Sequence, residues 1–295
     1  MQLPWLRAER FTLHIEPDEI RGMVAYGKTP QRWASISLPE DVFRNDAVVH
    51  PQALSAALEA LKEKLNLHTP EVHFSLHHRR AILRRLQLPN MPDKVLEEAV
   101  RREARREFPL PPEEVYLSWQ KVSGGAGGQQ EIFTVGIPRN AVDDLVAALQ
   151  KAGLKPLSLD LKYLALVRAL RQPNVILVDM EPTDVRLILI HDFLPCIVRT
   201  VSLPTHASPD EAATHLMSEV QRVIDYCRSH QRTDATPHEP RLCPLGPHPQ
   251  REELAEFLGR RWKVIPPKPP LSLPEEFPLH LYLTNLGLML KEVKT

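Results

Sequence analysis

Between Leu86 and Val122 the apolar positions change period twice: LQLPNMPDKVLEEAVRREARREFPLPPEEVYLSWQKV. The segment opens strand-like, passes a proline-bounded turn, and then places Leu96, Ala99, Val100, Ala104 and Phe108 at helical spacing. Asp93 is expected to cap this helix. Phe108 ends it, because the following Pro109 disfavours helical geometry in the residue before it. A proline-rich turn and a second strand close the segment.

The same reading extends along the chain. Phe11–Ile15 and Met23–Tyr26 read as a short hairpin, with Trp33–Leu38 as a third strand. Leu54, Ala57, Leu58, Leu61 and Leu65 form a helical stripe, followed by strands at Val72–Leu76 and Arg80–Leu88. Beyond the glycine-rich run SGGAGGQQ come a strand at Glu131–Ile137 and a helix at Ala141–Ala152, closed by Gly153. Leu161–Leu170 is helical. Val175–Asp179 and Val185–Ile190 make a second hairpin, with Cys196–Val201 beside it. Pro209–His230 is a long helix with Ser208 as its cap. A strand at Arg241–Leu245, a helix at Arg251–Trp262, a strand at Lys263–Ile265 and a closing helix at Leu281–Lys291 complete the chain.

Composition narrows the function classes. With 37 basic and 37 acidic residues the chain has no net charge, so nothing draws it globally to nucleic acid or an acidic membrane. The apolar runs Val175–Val178 and Leu187–Ile190 are far too short to span a bilayer. The start, MQLPWLRAER, lacks the apolar region of a secretory signal. Cys196, Cys227 and Cys243 lie far apart, as expected of a reducing compartment, and have no metal-ligand spacing. Proline is abundant at 29 residues and concentrates at element boundaries, which reads as stiffened loops.

Candidate chemistry is sparse. Thirteen histidines include His73, His77 and His78, and His206 and His215, but no pair has zinc-helix spacing beside a carboxylate base. Arg79, Arg80, Arg84 and Arg85 precede a helix carrying Arg101, Arg102, Arg105 and Arg106. There Glu97 and Glu98 stand four residues before Arg101 and Arg102, as in a solvated face laced with ion pairs. The alternative is a surface for an acidic partner. No aromatic interleaving points to nucleic acid.

The order strand, Glu/Arg-rich helix, FPLPPEEV turn and strand resembles the inserted subdomain of the PilM family, cytoplasmic components of type IV pilus assembly. GIPRNAVDDLVAALQKAGLKPLSLD and the closing LYLTNLGLMLKEV resemble that family as well. The resemblance implies an α/β, actin-like ATPase fold of two duplicated halves with an inserted α+β subdomain, as in FtsA and PilM. Its boundaries would be 1–79 for the first part of one domain, 80–155 for the insert and 156–174 for the return. Residues 175–280 would form the second domain and 281–295 the closing helix.

The fold implies nucleotide between two Asp-x-Gly turns and a late Gly-Gly pair. Here the first turn reads His14-Ile15-Glu16-Pro17-Asp18-Glu19 and the second Asp179-Met180-Glu181-Pro182-Thr183-Asp184. The third reads Cys243-Pro244-Leu245-Gly246-Pro247. Glycines are missing, prolines remove backbone donors, and carboxylates stand where phosphate would lie. The expectation is a degenerate site without ATP hydrolysis and with no required cofactor. Asp179 is the vestigial cofactor-binding candidate, and no metal ligands are assigned.

The resemblance further implies a groove between insert and body that receives the extended N-terminal cytoplasmic peptide of a PilN-like inner-membrane protein. The residues expected to line it are Arg84, Leu86, Leu88, Leu96, Val100 and Ala104, with Arg84 or Arg85 facing an acidic peptide residue. The protein would then be cytoplasmic, peripheral at the inner membrane through its partner, with other pilus components and self-association as further contacts. Two alternatives accompany this reading. One is a nucleotide-binding actin-like ATPase with Asp179 as the Mg2+ carboxylate. The other is the cytoplasmic domain of a GspL-like secretion protein.

Overall fold

The computed structural model describes residues 9–76, 81–122, 128–182, 184–203, 208–230 and 240–292. His77, His78, Arg79, Arg80, Thr183, His206 and most of the glycine-rich run lie outside the described residues, as does the Cys227 side chain.

The first half opens with the hairpin β1 (Glu9–Ile15) and β2 (Glu19–Tyr26), followed by β3 (Thr29–Ser37). A two-strand ribbon, β4 (Phe43–Arg44) with β5 (Ala47–Val48), leads into α1 (Pro51–Lys64) and β6 (Glu71–Leu76). Next come β7 (Ile82–Pro89), α2 (Asp93–Glu107), β8 (Val115–Val122) and β9 (Gln129–Pro138). The chain returns through α3 (Arg139–Lys151), β10 (Lys155–Leu161) and α4 (Lys162–Leu170). The second half comprises β11 (Val175–Met180), β12 (Asp184–His191), β13 (Leu194–Ser202), α5 (Pro209–His230) and β14 (Arg241–Leu245). It ends with α6 (Arg251–Gly259), β15 (Lys263–Val264) and α7 (Leu279–Met289).

The two large sheets have the same connectivity. The first runs β10-β6-β1-β2-β3 and the second β13-β12-β11-β14-β15. In each, an antiparallel hairpin and third strand are extended by two parallel strands. This makes α1, α3 and α4 the counterparts of α5, α6 and α7. Helices α1 and α3 cover the outer face of the first sheet, and α5 and α6 that of the second. Helices α4 and α7 pack between the sheets. Strands β11 and β12 are buried on both faces along almost their whole length, which explains their unbroken apolar sequence.

The insert is a third sheet, β7-β9-β8, with α2 on one face. Helix α3, expected within the insert, packs instead in the core of the first sheet, so the separately packed unit is 82–138. Pro92 rather than Asp93 occupies the cap position of α2; Asp93 makes no cap bond and its carboxylate accepts from Lys121 Nζ. Pro92 presets the extended geometry of the cap, so Asp93 enters the first turn, where its charge still suits the helix dipole. Phe108 ends the helix in extended geometry as expected. Ser208 caps α5 in a reciprocal pair with Glu211. Strand β10 was not anticipated: it is a parallel edge strand with a bulge after Pro156.

One contact fixes the packing of α4 on α7. A Cβ at Gly287 would overlap the Ala165 backbone of α4. Arg168 Nη1 donates to the Gly287 carbonyl at 2.8 Å, and Asn285 Nδ2 donates to the carbonyls of Thr12 (3.1 Å) and Arg21 (2.9 Å). Gly287→Ala is therefore expected to force the two helices apart and cost about 1–3 kcal/mol in equilibrium urea denaturation.

Candidate functional site

Two features stand out: a buried ionic cluster where the halves meet, and an open cleft beside the insert. The cluster is built from the tips of the two hairpins. Each tip is a four-residue turn starting with Glu-Pro, in which the Glu16 N–H donates to the Glu19 carbonyl and the Glu181 N–H to the Asp184 carbonyl, both at 2.9 Å. The surrounding segments, Glu16-Pro17-Asp18-Glu19-Ile20-Arg21 and Glu181-Pro182-Thr183-Asp184-Val185-Arg186, share the pattern Glu-Pro-x-acid-aliphatic-Arg.

The pairing crosses between halves. Arg186 of β12 reaches Glu16 with Nη1 at 3.0 Å and Nη2 at 2.9 Å. Arg21 of β2 reaches Glu181 Oε2 at 3.3 Å. Each arginine also meets an acid of its own turn: Arg21 with Glu19 at 2.5 Å, Arg186 with Asp184 at 3.4 Å. Lys162, the first residue of α4, sits between the turns. Its Nζ lies 2.8 Å from Glu16 Oε1, 2.7 Å from Asp179 Oδ2 and in contact with Glu181 Oε1. The side chains of Glu16, Arg21, Lys162, Asp179, Glu181 and Arg186 are each at most 4% exposed.

The protonation states follow from burial opposed by partners. Burial pushes the Glu16 carboxyl up, but Arg186 and Lys162 hold it well below the usual carboxylate range. Burial also raises Glu181, and Lys162, Arg21 and Arg186 together bring it down. Lys162 loses hydration, yet Asp179, Glu16 and Glu181 raise its pKa above the ordinary lysine value. His14, fully buried, bonds Ser75 Oγ at 2.9 Å and Glu16 Oε1 at 3.0 Å; burial drives its pKa down despite Glu16.

This arrangement does not fit a metal–nucleotide. Asp179, the vestigial cofactor candidate, spends Oδ2 on Lys162 and Arg186, and only its buried Oδ1 is unpaired. Pro17 and Pro182 offer no N–H to a phosphate. At the third turn, a Cβ on Gly246 (φ +99°) would strike the Met180 backbone, so this glycine serves chain packing. Among the described residues no group of histidine, cysteine or carboxylate side chains is arranged to hold a metal ion.

The residues expected to line a groove lie elsewhere. Leu86, Leu88, Leu96 and Val100 pack with Ile132 as the core of the insert, and Ala104 packs with Ile82, Phe108 and Val115. Arg84 lies on the surface 3.8 Å from Glu107, and Arg85 forms a two-pronged pair with Glu131 at 2.6 and 2.9 Å. An amphipathic stripe needs a cover, and the insert's own sheet supplies it.

The cleft opens on the opposite face of that sheet, with a volume of about 1000 Å3. One wall is the edge strand β8, Tyr116–Gln120, with Phe133, Val135 and Ile137 of β9 behind it. The other wall carries Leu164, Val167 and Arg168 of α4, Arg171 just past its end, and Leu159–Leu161 of β10. Phe193 and Leu194 of the second half close one side, and Phe193 is 51% exposed. Arg168 and Lys291 share Asp160 at 2.8 and 3.7 Å, leaving the cleft with three cations to one carboxylate.

Sequence reasoning noticed the glutamates and Asp179 but missed Lys162, Arg21, Arg186 and the whole cleft lining. The twice-occurring Glu-Pro-x-acid-aliphatic-Arg was the available signal for the cluster. The cleft has no equivalent signal, since its residues come from elements far apart in sequence.

Acid should weaken the fold in two stages. Burial lowers the pKa of His14, and lowers that of His73 to about 4, so both buried histidines bind protons more weakly folded than unfolded. Stability conferred by neutral histidine is therefore expected to fall as pH drops below the ordinary value of 6.5. Below the ordinary glutamate value of 4.5, Glu16 and Glu181 add a further loss. Melting curves across this range check it, and His14→Gln should reduce the first stage.

Comparisons with known proteins agree with this architecture. A chain of the PilM–PilN type IV pilus biogenesis complex superposes with a TM-score of 0.78 at 23% identity, covering 96% of this chain and 98% of that one. The cytoplasmic domain of EpsL, an inner-membrane component of the Vibrio cholerae type II secretion system, gives 0.55 at 14% identity, covering 95% of both chains. A Bacteroides thetaiotaomicron protein with an actin-like ATPase fold gives 0.54 at 8% identity, covering 97% of both. At these identities the likeness shows the fold, which is actin-like. No curated protein matches the chain. The family described as type IV pilus assembly protein PilM matches residues 27–191, more than half of the sequence. This chain therefore belongs to the PilM family of type IV pilus assembly proteins.

Proposed function

We propose that the protein is a binding platform of a pilus-type machine, not a nucleotide hydrolase. It receives the N-terminal cytoplasmic peptide of a PilN-like inner-membrane protein in the cleft beside the insert. The observation that carries this reading is the pairing of an apolar cleft along a free sheet edge with a nucleotide position filled by the chain's own ions.

The cleft suits an extended peptide. Among the described residues strand β8 pairs on one side only, with β9, so its outer backbone groups can add a strand while alternate side chains enter apolar pockets. Phe193, Leu164 and Val167 supply such pockets. Arg171, exposed at the end of α4, suits an acidic peptide residue, a role expected of Arg84 or Arg85 from sequence. No described helix is long and apolar enough to cross a membrane, and under this reading the protein is cytoplasmic and reaches the inner membrane through its partner.

Two measurements test the reading. Calorimetric titration with Mg2+ and ATP is expected to give no binding heat up to millimolar nucleotide; saturable binding would sink the no-nucleotide part. A synthetic peptide from the N-terminus of the cognate PilN-like protein should bind. Phe193→Asp, at an exposed position with φ +61° that aspartate tolerates, should weaken binding on the order of tenfold or more. Arg84→Ala should leave it unchanged.

A further inference from the structure

Two residues of the cleft hold backbone conformations that their side chains disfavour. Arg171, just past the end of α4, has φ +51° and ψ +37°, the left-handed geometry usually left to glycine or asparagine after a helix. Phe193 has φ +61° and follows Asp192 at φ +50°. These two residues link β12 to β13 as a two-residue turn whose second position ordinarily goes to glycine. The two strained sites are fastened together. The Phe193 N–H donates to the Pro173 carbonyl at 3.2 Å, and the Asp192 N–H donates to Asn174 Oδ1 at 3.4 Å. Arg171 and Phe193 thus reach the cleft from the linker between the halves and from the second half.

Neither side chain is spent on the fold. Among the described residues, Phe193 joins none of the apolar cores, and the Arg171 guanidinium pairs with no carboxylate. The other two cations of the cleft, Arg168 and Lys291, both meet Asp160, so the surplus positive charge sits at Arg171. Backbone groups on this wall are already used. The Leu159 carbonyl accepts from Lys291 Nζ at 2.7 Å, and the Leu161 N–H donates to Asp160 Oδ1 at 3.0 Å. An occupant therefore meets side chains here, where β8 opposite offers backbone. Strained positions that carry exposed, uncommitted side chains are where function keeps what folding disfavours.

We infer that Arg171 and Phe193 are the specificity-determining pair of the cleft: they select an extended peptide that carries a carboxylate side chain close to an apolar one, and their strained backbones are retained for that selection. The inference rests on the reading that the cleft receives a peptide. It goes further by naming the two features of the occupant that decide the choice, and by setting stability against affinity at both residues.

The test combines thermal unfolding of the full chain with calorimetric titration of a synthetic peptide from the N-terminus of the cognate PilN-like protein. It uses the wild type, Arg171→Gly and Phe193→Gly. Each glycine relieves left-handed strain, so both variants should melt no lower than the wild type and up to about 3 °C higher. Both should bind the peptide on the order of tenfold more weakly. Replacing the acidic residues of the peptide by their amides should weaken binding to the wild type by a similar factor. The same replacement should hardly change binding to Arg171→Gly, the signature of a direct pair. A peptide that binds but is indifferent to these changes, or that binds tightly with no acidic residue, overturns the inference and leaves the cleft reading intact. A glycine variant that melts several degrees lower overturns it too, because the side chain would then serve the fold. A peptide that does not bind the wild type removes the cleft reading and this inference together.

Discussion

The structure turns on three carboxylates and three cations buried together where its halves meet. Taking such groups out of water costs several kcal/mol each, and only mutual pairing with good geometry recovers it. Here the pairing is complete only when Glu16 and Arg21 of the first half lie against Glu181, Asp179 and Arg186 of the second. Opening the junction would strand each set next to water-excluding sheets, with like charges of one half left together. The closed arrangement is thus enforced by charge as well as by the apolar packing of α4 and α7. The cluster explains why both hairpin tips carry acids.

Helix α4 connects this junction to the cleft. Its first residue is Lys162, its middle is pressed onto α7 at Gly287, and its later part presents Val167 and Arg168 to the open side, with Arg171 following its last residue. A nine-residue helix held at its start and along its flank has little freedom to tilt. Arg168 belongs to both worlds, donating to the Gly287 carbonyl and pairing with Asp160 at the cleft floor. The cleft is therefore preformed on this side, and preorganisation would lower the ordering cost of the peptide proposed to bind there. Within the insert, Arg85 pairs with Glu131 across β7 and β9, and its approach to Cys196 links the insert to β13.

The elements legible from sequence were those whose environment is local. The hairpins, the α1 stripe and the α2 helix declared themselves by period and by flanking prolines. Strand β10 did not, because Lys155–Leu161 carries a proline and a bulge and pairs on one edge only. For the site, periodicity told that Leu96, Val100 and Ala104 are covered but not by what; a stripe covered by its own sheet looks the same as one awaiting a partner. Lys162 was invisible for a different reason. A lone lysine at a helix start reads as a solvated charge unless one knows that two distant turns converge on it.

The duplication also explains why the cluster contains one lysine and not two. Glu16 and Glu181 are equivalent across the halves, as are Arg21 and Arg186, and these four most deeply buried charges cancel, while Glu19 and Asp184 are less buried. The next equivalent pair is His14 and Asp179, each two residues before its glutamate. His14 is kept neutral by burial, so it adds no charge, whereas Asp179 adds one negative charge within a dry junction. The counterpart of α4 is α7, which begins with Leu279 where α4 begins with Lys162. The broken symmetry on the strands is thus matched by a broken symmetry on the helices: one extra acid from the second half, one extra cation from the first. Either change alone would leave an uncompensated buried charge, the costliest arrangement open to this junction.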